Sequence, residues 1–331
     1  LYMKNNKVVV IGNGHVGSSY SFLMASESNT SIDEIAIISR HENVVKSCVE
    51  DLRHMLPFNN STLKVKSGDY SDCEDADIIV IAASASMESV SKRSDLLEAN
   101  HKIFKSIIAK IMENHFKGIF IIASNPVDTL SYITKEISGF PKEKVIGSGT
   151  IIDSARFQFK LSEIYNVSPS NIQAMVLGEH GDSQVPIWAK ANIAGVPLKE
   201  KTSNVLEEIT TYTKEVGTEI LKSKGNTSYG IAKALTTITN AIIKDENTIL
   251  TVSSYLSGEY GYDNLYSGVP TLINKYGAQK IIELPLDEKE NQNLKYSFEI
   301  LKKAQDEVQK MTDKFIKEID TLLSKKEKDI M

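Results

Sequence analysis

The chain has 331 residues, 41% hydrophobic and 24% charged, close to the average for folded globular chains and unlike disordered or fibrous ones. A formal net charge of -5, from 38 basic and 43 acidic residues, gives no electrostatic footprint for nucleic acid or an anionic membrane, so small-molecule chemistry is expected. The length exceeds what one core usually holds, so two domains or one elaborate α/β unit are expected. The two cysteines, Cys48 and Cys73, fall in no Cys-x-x-Cys or His-paired spacing, so no disulfide framework and no metal site is read. No apolar run reaches membrane-spanning length and no leader is recognised, so the expected compartment is cytoplasmic.

In chain order, residues 7–11 form a short β-branched run followed at once by Gly12-Asn13-Gly14-His15-Val16-Gly17, and 18–26 then reads as helix. Strand, glycine turn and helix form the context in which G-x-G-x-x-G holds a pyrophosphate: the backbone turns tightly, and amides at the positive end of the helix meet the anion. Gly12, Gly14, Val16 and Gly17 are therefore candidate cofactor residues, and His15 is read as a solvated loop residue. Strands are predicted at 34–39, 63–67, 77–83, 118–124 and 145–147, with helices at 44–55 and 96–115. This alternation implies a Rossmann-type doubly wound parallel sheet over 1–147, with ligands at the carboxyl ends of its strands. The segments 82–93 and Ser124-Asn125-Pro126-Val127-Asp128 stand at such ends. The remainder, 148–331, reads as a mixed α+β substrate domain, with a helix at 205–222, a long terminal helix over about 287–323 and short strands.

Two stretches of that second half carry chemistry: Ile152-Asp153-Ser154-Ala155-Arg156-Phe157 and Leu177-Gly178-Glu179-His180-Gly181-Asp182-Ser183. An imidazole passing a proton to and from an alcohol oxygen works best with a pKa near the working pH, and a buried aspartate fixes its tautomer and stabilises its charged form. His180 and Asp153 suit those roles. Arg156 shares a helical face with Asp153, and its planar fork can grip a carboxylate with two hydrogen bonds. Singly, such a histidine is usually a turn residue and Asp-x-x-Arg a surface ion pair. Together, behind a nucleotide-binding half, they point to a dehydrogenase acting on a carboxylic acid.

Read with Asp51-Leu52-Arg53-His54, Gly68-Asp69-Tyr70, the segment 93–100, Ile146-Gly147-Ser148-Gly149-Thr150 and Lys224-Gly225-Asn226-Thr227-Ser228-Tyr229, these motifs resemble the lactate and malate dehydrogenase superfamily over nearly the whole chain. The Gly-Glu-His-Gly and Lys-Gly-x-Thr-Ser-Tyr stretches look more like its lactate branch. The resemblance implies His180 as acid and base, Asp153 as its orienting partner and Arg156 as carboxylate clamp. It further implies Arg93, in a mobile lid, as the group that polarises the substrate carbonyl. Asn125 would lie near substrate and nicotinamide, and Thr227 would line the substrate pocket. Family members are dimers or tetramers, so the chain is expected to associate with itself.

Three positions depart from the family pattern. Where an acidic residue normally closes strand two and binds the adenosine ribose of NAD, this chain has Ser39, followed by Arg40 and His41. Repulsion of a 2′-phosphate is then absent and Arg40 is available to pair with it, so the cofactor is read as NAD or NADP; the alternative is that Arg40 points into solvent. Met87 stands six residues before Arg93, at the position that selects substrate in the family, and has no charge to hold a second carboxylate. Gln158 and Gln173 occupy the places of the arginine and histidine that bind fructose 1,6-bisphosphate in allosteric relatives, so that effector site is expected to be absent. The expected function is an L-2-hydroxyacid dehydrogenase interconverting 2-oxo acids, such as pyruvate or 2-oxoisocaproate, with L-2-hydroxy acids. A strict L-lactate dehydrogenase is the alternative, and a non-catalytic dinucleotide-binding protein the alternative of another class.

Overall fold

The computed structural model describes residues 6–27, 31–85, 93–198 and 203–330, with side chains except at 93–96, 203 and 311–330. In the first half β1 (Lys7–Ile11), β2 (Glu34–Ile38), β3 (Lys64–Ser67), β4 (Ile78–Ile81), β5 (Ile119–Ile122) and β6 (Val145–Gly147) alternate with helices. These are α1 (His15–Ser26), α2 (Glu42–Met55), α3 (Arg93–Glu113) and α4 (Val127–Ser138). The strands pair in parallel in the order β3-β2-β1-β4-β5-β6. Both faces are covered, which is why β1 after Lys7 reads as the unbroken apolar run Val-Val-Val-Ile. Its side chains still alternate. Val8 and Val10 enter a core shared with α1 and α2, while Val9 and Ile11 enter one shared with α3 and α4.

The second half contains α5 (Ile151–Tyr165), β7 (Ile172–Leu177), β8 (Val185–Ile193), β9 (Val196–Pro197), α6 (Ser203–Lys224), α7 (Tyr229–Ile243), β10 (Thr248–Ser257), β11 (Asp263–Asn274), β12 (Gly277–Ile281) and α8 (Glu288–Ile330). β7, β8 and β9 form a separate antiparallel sheet. β10, β11 and β12 instead continue the first sheet: Ser253 of β10 pairs with Gly147 of β6, giving nine strands in all. The expectation of short strands is corrected here, since β10 has 10 residues and β11 has 12. Their buried positions include Ser253, Ser254, Ser267 and Thr271, so the apolar signal of a strand is diluted; Ser254 and Thr271 satisfy each other at 2.9 Å. α7 crosses back over the cofactor half, where Leu235 and Ile238 join the core of Tyr20 and Met24, and Tyr20 hydrogen-bonds Thr239 at 2.8 Å. Among the described residues no helix is long and apolar enough to cross a membrane.

Candidate active site

The ends of β1, β2, β4 and β5 lie in register, Ile11 opposite Ile38 and Ile81, and Ile81 opposite Ile122. The chain leaving them opens a crevice at the switch point between β1 and β4. Gly12 takes φ +108°, and a Cβ there would lie 2.6 Å from the Ala83 nitrogen, so only glycine lets the turn pass so close to β4. Gly14 caps α1, and a Cβ on Gly17 would collide with the Gly12 carbonyl oxygen. Val16 packs against the core beneath the turn.

A cavity of about 490 Å³ runs from Gly12, Asn13 and Gly14 past Ser39, Arg40 and His41 to Ile107 and Lys110 of α3. Among the described residues that line it there is no carboxylate. Arg40 Nε donates to His41 Nε2 at 3.2 Å, and the Lys110 ammonium sits 5.2 Å from the centre of the Tyr70 ring. The glycine cradle and the cationic far end fit a dinucleotide.

The second cluster forms where the β7–β8 loop meets α5 and α4. Asp153, in the first turn of α5, is fully buried. Its Oδ2 lies 2.6 Å from His180 Nδ1, and its Oδ1 accepts from Arg156 Nη1 at 2.9 Å. An ionised carboxylate only accepts, so Nδ1 carries a proton and Nε2 is the atom left for a substrate. Burial works against a charged His180, but the Asp153 charge and hydrogen bond outweigh it and raise the histidine pKa. Burial likewise opposes the Asp153 anion, yet His180 and Arg156 hold its carboxyl below the ordinary value. The Arg156 guanidinium lies against Gly217 of α6, where a Cβ would stand 2.7 Å from Nη2.

His180 also lines a cavity of about 660 Å³ together with Leu97, Asn125, Asp128, Thr129, Glu179 and Tyr296. Asn125 is exposed there, its carbonyl accepting from Asn100 Nδ2 at 2.8 Å, while Asn100 Oδ1 accepts from the Ala85 nitrogen at 2.7 Å. Asn100 thus ties the strand-four exit to the Asn125 turn. Thr227, expected in the substrate pocket, is half-buried in the α6–α7 loop and does not line this cavity. Arg156 is outside its lining too, because its guanidinium is turned to Asp153. Arg93 opens α3, with its side chain outside the described set, and Met87 lies outside the described residues. Gln158 donates to the Ala174 carbonyl, and Gln173 accepts from Asn192. Among the described residues no group of His, Cys, Asp or Glu is placed to hold a metal ion.

Residues 6–147 match the NAD binding domain of lactate/malate dehydrogenase, and 150–312 match its alpha/beta C-terminal domain. The chain belongs to the lactate/malate dehydrogenase family. It is 46% identical over 313 residues to an L-lactate dehydrogenase of Staphylococcus saprophyticus, covering 93% of this chain and 98% of that one. It is 45% identical over 314 residues to L-lactate dehydrogenase 1 of Staphylococcus aureus, at the same coverage. A minor L-lactate dehydrogenase from Enterococcus mundtii superposes with a TM-score of 0.90 at 32% identity, covering 92% of this chain and 99% of that one. A malate dehydrogenase from Salinibacter ruber superposes at 0.86 with 31% identity, covering 93% and 99%.

This family member is therefore an NAD(P)-dependent dehydrogenase with a Rossmann-type first half. Sequence reasoning finds His180, Asp153 and Arg156 for its site but gives no role to Asn100, Asp128 or Ser253. Asn100 and Asp128 fall inside stretches that resemble the family, whereas Ser253 lies in an ordinary Ser-rich strand without any signal.

Proposed function

We propose that this dehydrogenase is an L-lactate dehydrogenase, interconverting pyruvate and L-lactate. The observation that carries the reading is one buried carboxylate, Asp153, bonded at once to an imidazole and to a guanidinium. The staphylococcal relatives, named for L-lactate, favour pyruvate over the longer 2-oxo acids that Met87 suggests from sequence. In this reading 1–147 holds the cofactor and 148–331 most of the substrate site.

In pyruvate reduction, Arg156 turns from Asp153 to clamp the substrate carboxylate with both arms of its fork. Protonated His180 donates from Nε2 to the carbonyl oxygen as C2 gains a hydride, so no free alkoxide accumulates. The dinucleotide, when bound, supplies that hydride with its two electrons. Asp153 keeps the imidazolium oriented before the transfer and the neutral Nδ1–H tautomer after it. Arg93 polarises the carbonyl, Asn125 hydrogen-bonds beside it, and Met87 packs near the methyl group. In lactate oxidation the same atoms run in reverse, with neutral His180 taking the hydroxyl proton.

Gly12, Gly14 and Gly17 would cradle the pyrophosphate, and Ser39 and Arg40 the adenosine ribose. We infer that this end accepts NADP as well as NAD, because the described residues of its lining offer cations and no carboxylate. Self-association is also part of this reading: Phe22, Leu23 and Tyr229 line an apolar groove between α1 and α7 that suits a second copy.

Spectrophotometric turnover of pyruvate, 2-oxoisocaproate and oxaloacetate tests the proposal, with pyruvate expected to give the highest kcat/KM. A preference for either other acid would overturn the substrate assignment. His180→Ala should lower kcat at least about a hundredfold while cofactor binding persists. Near-normal turnover in that variant would remove His180 from the chemistry.

A further inference from the structure

His180 is held by two carboxylates rather than one. Asp128, in the first turn of α4, is 2% exposed. Its Oδ2 accepts the His180 backbone N–H at 3.0 Å, and its Oδ1 accepts the Ser253 hydroxyl at 2.6 Å. Among the described residues no lysine or arginine forms an ion pair with it. A carboxylate buried with only two neutral donors costs much to ionise, and a fold keeps one where its geometry or its charge serves another group.

We propose that Asp128 is a positioning residue for proton transfer. It fixes the His180 main chain against α4 while Asp153 fixes the ring against α5, and its negative charge strengthens the hold of the imidazole on its proton. Ser253 of β10 orients the carboxylate, so the sheet extension contributed by the second half reaches the reacting group through one hydroxyl. This rests on the reading of His180 as the proton-transfer group.

Among the described residues, the charged and titratable groups around the imidazole are Asp153 and Arg156 from α5, Asp128 from α4, and Glu179 and Asp182 on its own loop, with Tyr296 and Glu307 of α8 lining the same cavity. Asp128 supports retention of the proton, as Asp153 does, whereas Arg156 opposes it. Burial pushes the Asp128 carboxyl itself up to about 6, with the bonds from Ser253 and His180 restraining the rise. The carboxyl therefore ionises at the acid side of the working range, and the charge that supports His180 is lost as pH falls through about 6.

The test is the pH profile of kcat/KM for pyruvate reduction in Asp128→Asn and Ser253→Ala. Asparagine keeps an acceptor for the His180 N–H, its amide NH2 can donate to the Ser253 hydroxyl turned to accept, and the charge is lost. The rate falls in base as the histidine loses its proton, and in Asp128→Asn this alkaline limb should move to lower pH, a loss of at least about threefold on that limb. Ser253→Ala removes the hydroxyl that donates to Oδ1 and so weakens the carboxylate form of Asp128, and it should move the same alkaline limb to lower pH, by less than Asp128→Asn does. An Asp128→Asn profile that falls uniformly without moving would overturn the proposal, because a purely structural role lowers the rate at every pH alike. If Asp128→Asn does not fold, Ser253→Ala decides, and an alkaline limb identical to wild type overturns it. Failure of the His180 reading is distinguished separately, by unchanged turnover in His180→Ala.

Discussion

Replacing Asp153 by asparagine removes one charge and keeps the outline of the side chain. This fully buried carboxylate has His180 Nδ1 at 2.6 Å and Arg156 Nη1 at 2.9 Å. Two unit charges about 4 Å apart attract by about 4 kcal/mol at an effective dielectric of about 20, before desolvation is subtracted. If only about 1.4 kcal/mol survives, the protonated fraction of His180 above its pKa still changes tenfold. A second effect adds to this. Asparagine can offer an N–H to Nδ1, which puts the proton of the neutral ring on Nε2 and closes that atom to a lactate hydroxyl. We expect kcat for pyruvate reduction to fall by about 10²–10³, with lactate oxidation falling at least as far. Initial rates from about pH 5 to about pH 9, followed by cofactor absorbance, should show the alkaline limb displaced to lower pH. Stability responds with the opposite sign in acid. The lowered Asp153 pKa contributes stability above the unfolded carboxylate value that is lost as pH falls through the folded one, so the stability deficit of the variant should shrink on acidification. A variant within about threefold of wild type, with an unmoved limb, would refute the charge argument.

Arg156→Lys should raise the KM for pyruvate by about tenfold or more with a smaller effect on kcat, because a point charge cannot reproduce a bidentate fork; unchanged steady-state constants would remove Arg156 from the site. Gly217→Ala should crowd the guanidinium, since its Cβ would stand 2.7 Å from Nη2, and the expected readout is a higher pyruvate KM with little change in thermal stability. A wild-type KM would mean that the added methyl does not obstruct the guanidinium as it turns to the substrate. At the cofactor end, the wild-type NADPH to NADH efficiency ratio should be about one or above, and Ser39→Asp should return preference to NADH by repelling a 2′-phosphate. Strong NADH preference in the wild type, with equal losses for both cofactors in Arg40→Ala, would place Arg40 in solvent.

The parallel strands are legible because burial on both faces writes them as short apolar runs, and the glycine turn is legible because the turn itself excludes side chains at Gly12. α4 is not legible. Its residues from Val127 to Thr134 are all buried, the polar Asp128, Thr129, Ser131 and Thr134 among them, so polarity does not tell which of its faces is covered. β10 and β11 are obscured for a related reason, since they bury serines and threonines that satisfy one another. At the site, Asp153 and Arg156 are readable from their one-turn spacing, and His180 from its loop motif. The Asp128–Ser253 bond joins residues 125 positions apart, and only the pairing of β10 with β6 brings them together.

The packing of α7 bears on any attempt to isolate the cofactor half. Severing the chain after Gly147 would strip Leu235, Ile238 and Val252 from the core that holds Val8, Tyr20, Met24 and Ile146. The Tyr20 hydroxyl, fully buried, would lose Thr239, and β6 would become a bare edge open to pairing with another chain. The shorter fragment would present a sticky apolar face beside its own nucleotide crevice and would aggregate rather than bind. Folding and cofactor recognition in this molecule are thus tied to residues that never approach the dinucleotide, and a half-length protein is a poor stand-in for the binding properties of the whole.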